Sequence, residues 1–215
     1  MPNLMTDSVI QDAMPLKVVD VSRIIAEDKE GVSRPALRLT GIFQRADDIN
    51  TNGRIYPLTV LKEAVDSIQD QINSRSVMGE FDHPSDAKIH MDRVSHLLTK
   101  LWLDGKIVYG QVEVLEEMPC GKMLKALIES NVQVSVSSRG VGDMKTKNLE
   151  EGKEAYEVLP GYQLVTFDAV AEPSVGDTQL SVMESRERAA RQVIDEQLKK
   201  EREALKAIRE HYLIK

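Results

Sequence analysis

Three groups of residues carry side chains suited to covalent chemistry. Gly79-Glu80-Phe81-Asp82-His83-Pro84 supplies an imidazole, Val134-Ser135-Val136-Ser137-Ser138-Arg139-Gly140 supplies hydroxyls, and Thr166-Phe167-Asp168-Ala169-Val170 sets a carboxylate among apolar residues. A serine hydroxyl attacks a carbonyl only when a base takes its proton, and imidazole has the pKa for that task near neutral pH. A carboxylate behind the ring fixes its tautomer and stabilises the cation that forms. Together the three groups could perform acyl transfer, with His83 as base, Ser137 as nucleophile and Asp168 as orienting acid.

Plainer roles are open to each residue. His83 before Pro84 would cap a loop, His96 would be a core histidine of its strand, and Asp168 would pair a buried arginine. Ser-Ser-Arg-Gly would be a strand-ending turn, and no Gly-x-Ser-x-Gly elbow surrounds Ser137. A metal site is a second chemical reading, because Asp82, His83, Asp86, His90 and Asp92 crowd one short stretch, and imidazole with carboxylate suits zinc or manganese. Their spacing matches no ligand pattern such as His-Glu-x-x-His, so neither a metal nor another cofactor is expected.

The elements that must position these residues follow from local pattern. Residues 37–46 read as a strand and Asn52-Gly53 as a turn, and Pro57 starts an amphipathic helix running to about Ile72. Residues 94–103 and 106–115 are two β-rich runs joined by Asp104-Gly105, which favours a tight hairpin. A short helix begins near Pro119. Val132, Val134 and Val136 alternate with polar residues, so Ser137 leaves its strand opposite the valines, near an accessible end. Residues 143–156 are polar and read as a long loop. Residues 162–171 form a further strand on which Leu164, Thr166, Asp168 and Val170 share a face; an acid there is costly to bury unless paired.

Composition excludes some classes of function. The formal charge is −7 and no basic block stands out, which argues against nucleic acid or an anionic membrane as partner. Cys120 is the only cysteine, and no apolar run approaches the length of a membrane span, so a soluble protein of a reducing compartment is expected. Residues 1–35 have no clear periodicity and read as an N-terminal arm open to removal. Residues 36–180 form the main domain, and residues 181–215 a charged C-terminal helix without Gly or Pro from Glu184 onward.

In order along the chain, Gly41-Ile42-Phe43, Asn52-Gly53-Arg54-Ile55-Tyr56-Pro57, the His83 stretch, Val94-Ser95-His96, Leu101-Trp102, Val108-Tyr109-Gly110, the Ser137 stretch and Asp168-Ala169-Val170-Ala171-Glu172-Pro173-Ser174 resemble the prohead core proteases of T-even-type tailed phages. Those serine peptidases are related in fold to the herpesvirus assembly proteases. The resemblance implies an α+β fold, a mostly antiparallel β-barrel of herpesvirus-protease type with packed helices and the long C-terminal helix outside. It also implies His83 as base and Ser137 as nucleophile. Asp168 is the third member, with His96 as the alternative because the herpesvirus-type enzymes use a second histidine.

Backbone N–H groups near Arg139 and Gly140, or in the turn after Asp168, would hold the oxyanion. The family cuts after glutamate in Leu/Ile-x-Glu, which makes Glu27, Glu196 and Glu210 candidates for self-cleavage. A glutamate pocket needs a cation, and Arg139 and Arg54 are the candidates. The implied substrates are scaffold and capsid proteins inside the prohead, in the host cytoplasm, and a homo-oligomer is compatible with that setting. The competing class is a non-catalytic, scaffold-associated structural protein of the same fold.

Overall fold

In the computed structural model, which describes residues 4–15, 17–27, 33–130, 132, 134–149 and 154–171, the strands gather into two five-stranded sheets. The first contains β1 (Leu4–Pro15), β8 (Ser135–Asn148), β9 (Glu154–Val158) and β4 (Arg54–Ile55), with β10 (Gln163–Val170) also paired to β8. The second runs in the order β2 (Lys17–Glu27), β3 (Ser33–Arg45), β7 (Ile107–Val114), β6 (Val94–Asp104) and β5 (Met78–Glu80). Helices α1 (Leu58–Ser67), α2 (Gln69–Asn73) and α3 (Pro119–Glu129) and a 3-10 turn at Met91–Arg93 complete the described elements.

Several elements lie where local pattern places them. Pro57 precedes α1, whose Val60, Leu61, Ala64 and Val65 are buried, the spacing of one helical face. The expected single helix breaks at Ile68, and α2 continues with Ile72 buried. Asp104-Gly105 turns β6 into β7, with Gly105 at φ +57°, a conformation glycine adopts without steric cost.

Other elements differ from expectation. Within residues 1–35, read above as an arm, β1 pairs with β8 and β2 pairs with β3. The presumed loop over 143–156 is largely strand, because β8 runs to Asn148 and β9 begins at Glu154. Charge pairing holds these ends together. Lys145 and Lys147 reach the Glu157 carboxylate at 2.7 and 2.5 Å and hold its pKa below the usual carboxylate range. Met144, Ala155 and Val158 supply the buried contacts.

The architecture is mixed α+β and mostly strand, but the sheets do not close into the expected barrel. Closure requires edge strands of the two sheets to form a continuous ladder. Among the described residues they share an isolated parallel bridge, Phe81 to Ala169. Packing joins them instead: Phe43 of β3 meets Phe167 of β10 edge to face at 5.0 Å within one cluster that includes Leu39, Leu98, Val112 and Val136. The expected C-terminal helix, with Glu196 and Glu210, lies outside the described residues. Glu27 ends β2, paired with Ser33.

Candidate active site

The site forms where the second sheet's β5 gives way to a turn that crosses to the first sheet. Phe81 bridges to Ala169, and Asp82, at φ +69°, donates its N–H to the Ala169 carbonyl at 2.7 Å. That turn delivers His83 beside β10. On β10, Asp168 is the register partner of Ser137 on β8, so their side chains leave the sheet on the same face. The carboxylate and the hydroxyl are therefore neighbours across one ladder, while the imidazole arrives from the adjoining sheet.

His83 Nδ1 lies 2.9 Å from Asp168 Oδ2, with the imidazole side chain 18% exposed. A carboxylate accepts only, so Nδ1 carries the proton and Nε2 is left as the basic nitrogen of the neutral ring. Asp168 is fully buried and accepts from the Glu80 N–H at 2.9 Å and from Arg139 Nη2 at 3.1 Å, both on Oδ1. Arg139 Nε sits 2.9 Å from Oδ2 as an ion pair whose angle is not that of a hydrogen bond.

Arg139 is itself fully buried. Its Nη2 also reaches Glu80 Oε1 at 3.0 Å, and its Nη1 donates to the carbonyls of Asp86 and Lys88. Glu80 Oε1 in turn accepts the His90 N–H at 2.8 Å. One guanidinium thus serves two buried carboxylates and closes the His83 loop onto β8. Unpaired, either acid would be expensive to bury; here each has the guanidinium and a backbone N–H as partners.

Ser137 is 0% exposed, contrary to the accessible strand end expected of it. β8 is flanked at this level by β10 on one edge and β1 on the other, with Ala13 in register with Ser137, so the serine lies inside the sheet rather than at an open end. Ser137 Oγ and His83 Nε2, the atoms between which a proton would pass, are both buried and neither makes a hydrogen bond. Arg139 and Gly140 are likewise paired on both sides, with Gln11 and Ile10 of β1 and with Thr166 and Leu164 of β10.

His96 lies elsewhere in the network. Its Nε2 donates to the Phe167 carbonyl at 2.9 Å and its Nδ1 contacts the Ser95 hydroxyl at 2.9 Å. Burial pushes its pKa down, so the ring is neutral. It packs behind the strand that carries Asp168, and it is Asp168 that His83 Nδ1 meets. Gly79 makes this possible, since a Cβ there would stand 2.0 Å from His96 Nε2.

Among the described residues no group of three or more His, Cys, Asp or Glu side chains is placed to hold a metal. Asp82 faces Arg93 at 3.7 Å and His90 faces Asp86 at 3.7 Å. Glu80 has no role in the sequence reading, and Arg139, a candidate there for the cation of a glutamate pocket, instead pairs with Asp168 and Glu80. The available signal was a glutamate in a short β-run and an arginine two residues beyond Ser137, on the same face of its strand.

Comparison with known proteins finds relatives over most of the chain. Residues 5–190 match the family model described as prohead core protein serine protease. The prohead core protein protease of Enterobacteria phage T4 is 34% identical over 155 residues, covering 70% of this chain and 71% of that protein. The solved structure of the bacteriophage T4 capsid assembly protease superposes with a TM-score of 0.67 at 27% identity, covering 77% of this chain and 99% of that one.

Proposed function

The chain belongs to the prohead core protein serine protease family, and from that premise we propose that it is the serine endopeptidase of phage capsid maturation, with Ser137, His83 and Asp168 as its catalytic residues. The observation that carries the assignment is the His83–Asp168 hydrogen bond on the face from which Ser137 projects.

In the mechanism, Ser137 Oγ attacks the scissile carbonyl and passes its proton to His83 Nε2. The imidazolium is stabilised by Asp168, which Arg139 and the Glu80 amide hold in place. His83 then protonates the leaving amine, and water, activated by the same base, releases the acyl group from Ser137. Backbone N–H groups of the Arg139–Gly140 segment that face β1 are the proposed oxyanion donors, each worth about 3–4 kcal/mol in the transition state once that pairing opens. The proposed substrates are prohead scaffold and capsid proteins and the chain itself, cut after glutamate in Leu/Ile-x-Glu inside the prohead, with Glu27, Glu196 and Glu210 as candidate sites.

The test is Ser137→Ala in the full chain. The variant is expected to fold, to lose cleavage of an Ile-x-Glu peptide and to lose labelling by a serine-directed phosphonate. Cleavage undiminished in the variant would remove Ser137 from the mechanism. A wild-type chain inert towards peptide, scaffold and phosphonate would instead mark a non-catalytic structural protein of the prohead.

A further inference from the structure

Next to the nucleophile's strand, β1 carries a carboxylate in a ready-made anion site. Asp12 precedes Ala13, the residue in register with Ser137, and its side chain is 1% exposed. Three donors from a single short segment hold it. Arg54 Nη1 and Asn52 Nδ2 each lie 2.8 Å from Oδ1, and the Tyr56 hydroxyl donates to Oδ2. The same guanidinium nitrogen and amide also reach the Gln11 carbonyl, at 2.7 and 3.2 Å, so peptide backbone is gripped together with the acid. Ile10 is fully buried, and Gln11 Nε2 donates to the Pro84 carbonyl, one residue past His83, at 2.6 Å.

β1 therefore lies along β8 as an extended apolar-x-acid peptide, Ile10-Gln11-Asp12, anchored by ladder bonds and by side-chain sites, as a peptide added to a sheet edge is recognised. Asp12 pairs with Ser138, so its carboxylate leaves on the face opposite the Ser137 hydroxyl, which separates the gripping side from the reacting side. Arg139, the other cation near Ser137, is spent on Asp168 and Glu80.

We propose that Asn52, Arg54 and Tyr56 form the acid-recognition subsite of this protease, and that β1 is its internal occupant, displaced along β8 when an acidic substrate strand binds. The proposal rests on the reading of Ser137 as nucleophile. A buried carboxylate needs charged donors, and a site built for one disfavours a neutral isostere, because the guanidinium is then left without its counter-charge. Leaving also uncovers the side of β8 on which Arg139 and Gly140 pair with β1.

The test uses the full-length Ser137→Ala chain, so that peptides bind without turnover. The probes are an acetylated Val-Ile-Gln-Glu-Ala-Met amide and the same peptide with Gln for Glu, with affinity and amide exchange of residues 8–15 as readouts. The Glu peptide is expected to bind at least about tenfold tighter than the Gln peptide, the discrimination of one charge-assisted hydrogen bond. Its binding is expected to deprotect residues 8–15. Adding Asp12→Ala should raise its affinity, and adding Arg54→Met should erase the Glu/Gln difference. Should Arg54→Met fail to fold, Asn52→Ala, at an exposed residue, must still narrow that difference. Equal affinity for the two peptides overturns the proposal. So does continued protection of residues 8–15 with peptide bound, or no binding of the Glu peptide by the Asp12→Ala chain at millimolar concentration. None of these results depends on turnover, so failure of the peptidase reading would appear separately, in the cleavage assay.

Discussion

Arg139 faces two buried acids, Glu80 and Asp168, and that ratio explains why so many neutral donors converge on the same place. The amides of Glu80 and His90, and Arg93 Nε at 3.8 Å from Glu80 Oε2, supply what one guanidinium cannot. His96 completes the packing behind Asp168, and its titration is testable. Its pKa is lowered by burial, so the folded ring stays neutral at a pH where the unfolded ring is already charged. Stability from this residue is fully present above the unfolded value of about 6.5 and falls as pH drops through it, until the folded ring itself protonates. We expect urea midpoints to decline from pH 7 to pH 5, with a shallower decline in His96→Gln; parallel profiles would place the acid sensitivity elsewhere. Asp168 was legible in sequence because a carboxylate on an apolar strand face must find a partner. Arg139's pairing was not, because one of its partners, Glu80, is 59 residues away and no local pattern links them.

β5 is only three residues long, yet it sets the position of Glu80 and of the His83 turn. Gly79 lets it lie against His96, and a Cβ there would also stand 2.4 Å from the Phe167 carbonyl. Gly79→Ala is therefore expected to break the His96–Phe167 bond, to cost about 1–3 kcal/mol, as overpacked sites do, and to abolish phosphonate labelling of Ser137. A variant with wild-type stability and labelling would show that β5 has room to move. At this scale the helices and the hairpin were readable because their buried positions recur at helical or strand period. β1 was not, because Asp12 occupies the same face as the buried Ile10, and the donors that make it tolerable come from residues 52–56. The far half of β8 carries no strand signal for a similar reason: its charged side chains pair with Glu157 of another strand.

The two sheets are held mainly by packing, and Phe43 is central to it. Its ring meets Phe167 and lies over Gly110, where a Cβ would come within 2.4 Å of the ring. Phe43→Ala should cost about 3–5 kcal/mol in urea unfolding, with a larger proportional loss of peptide cleavage than of folded protein, since the proposed base follows β5 of one sheet and the proposed nucleophile lies on β8 of the other. A loss of stability alone would mean that the sheets keep their mutual position without this contact. The mixed α+β class was readable from element order, whereas barrel closure was not, because it depends on which edges meet. Synthesis order gives the seam another consequence. His83 and Ser137 are made before Asp168, and β10 supplies one of the two ladders that flank the serine strand. A nascent chain that stops short of residue 168 carries the proposed base and nucleophile with no carboxylate to orient the ring. On the proposed triad, full competence to cut would then arrive only once β10 has left the ribosome.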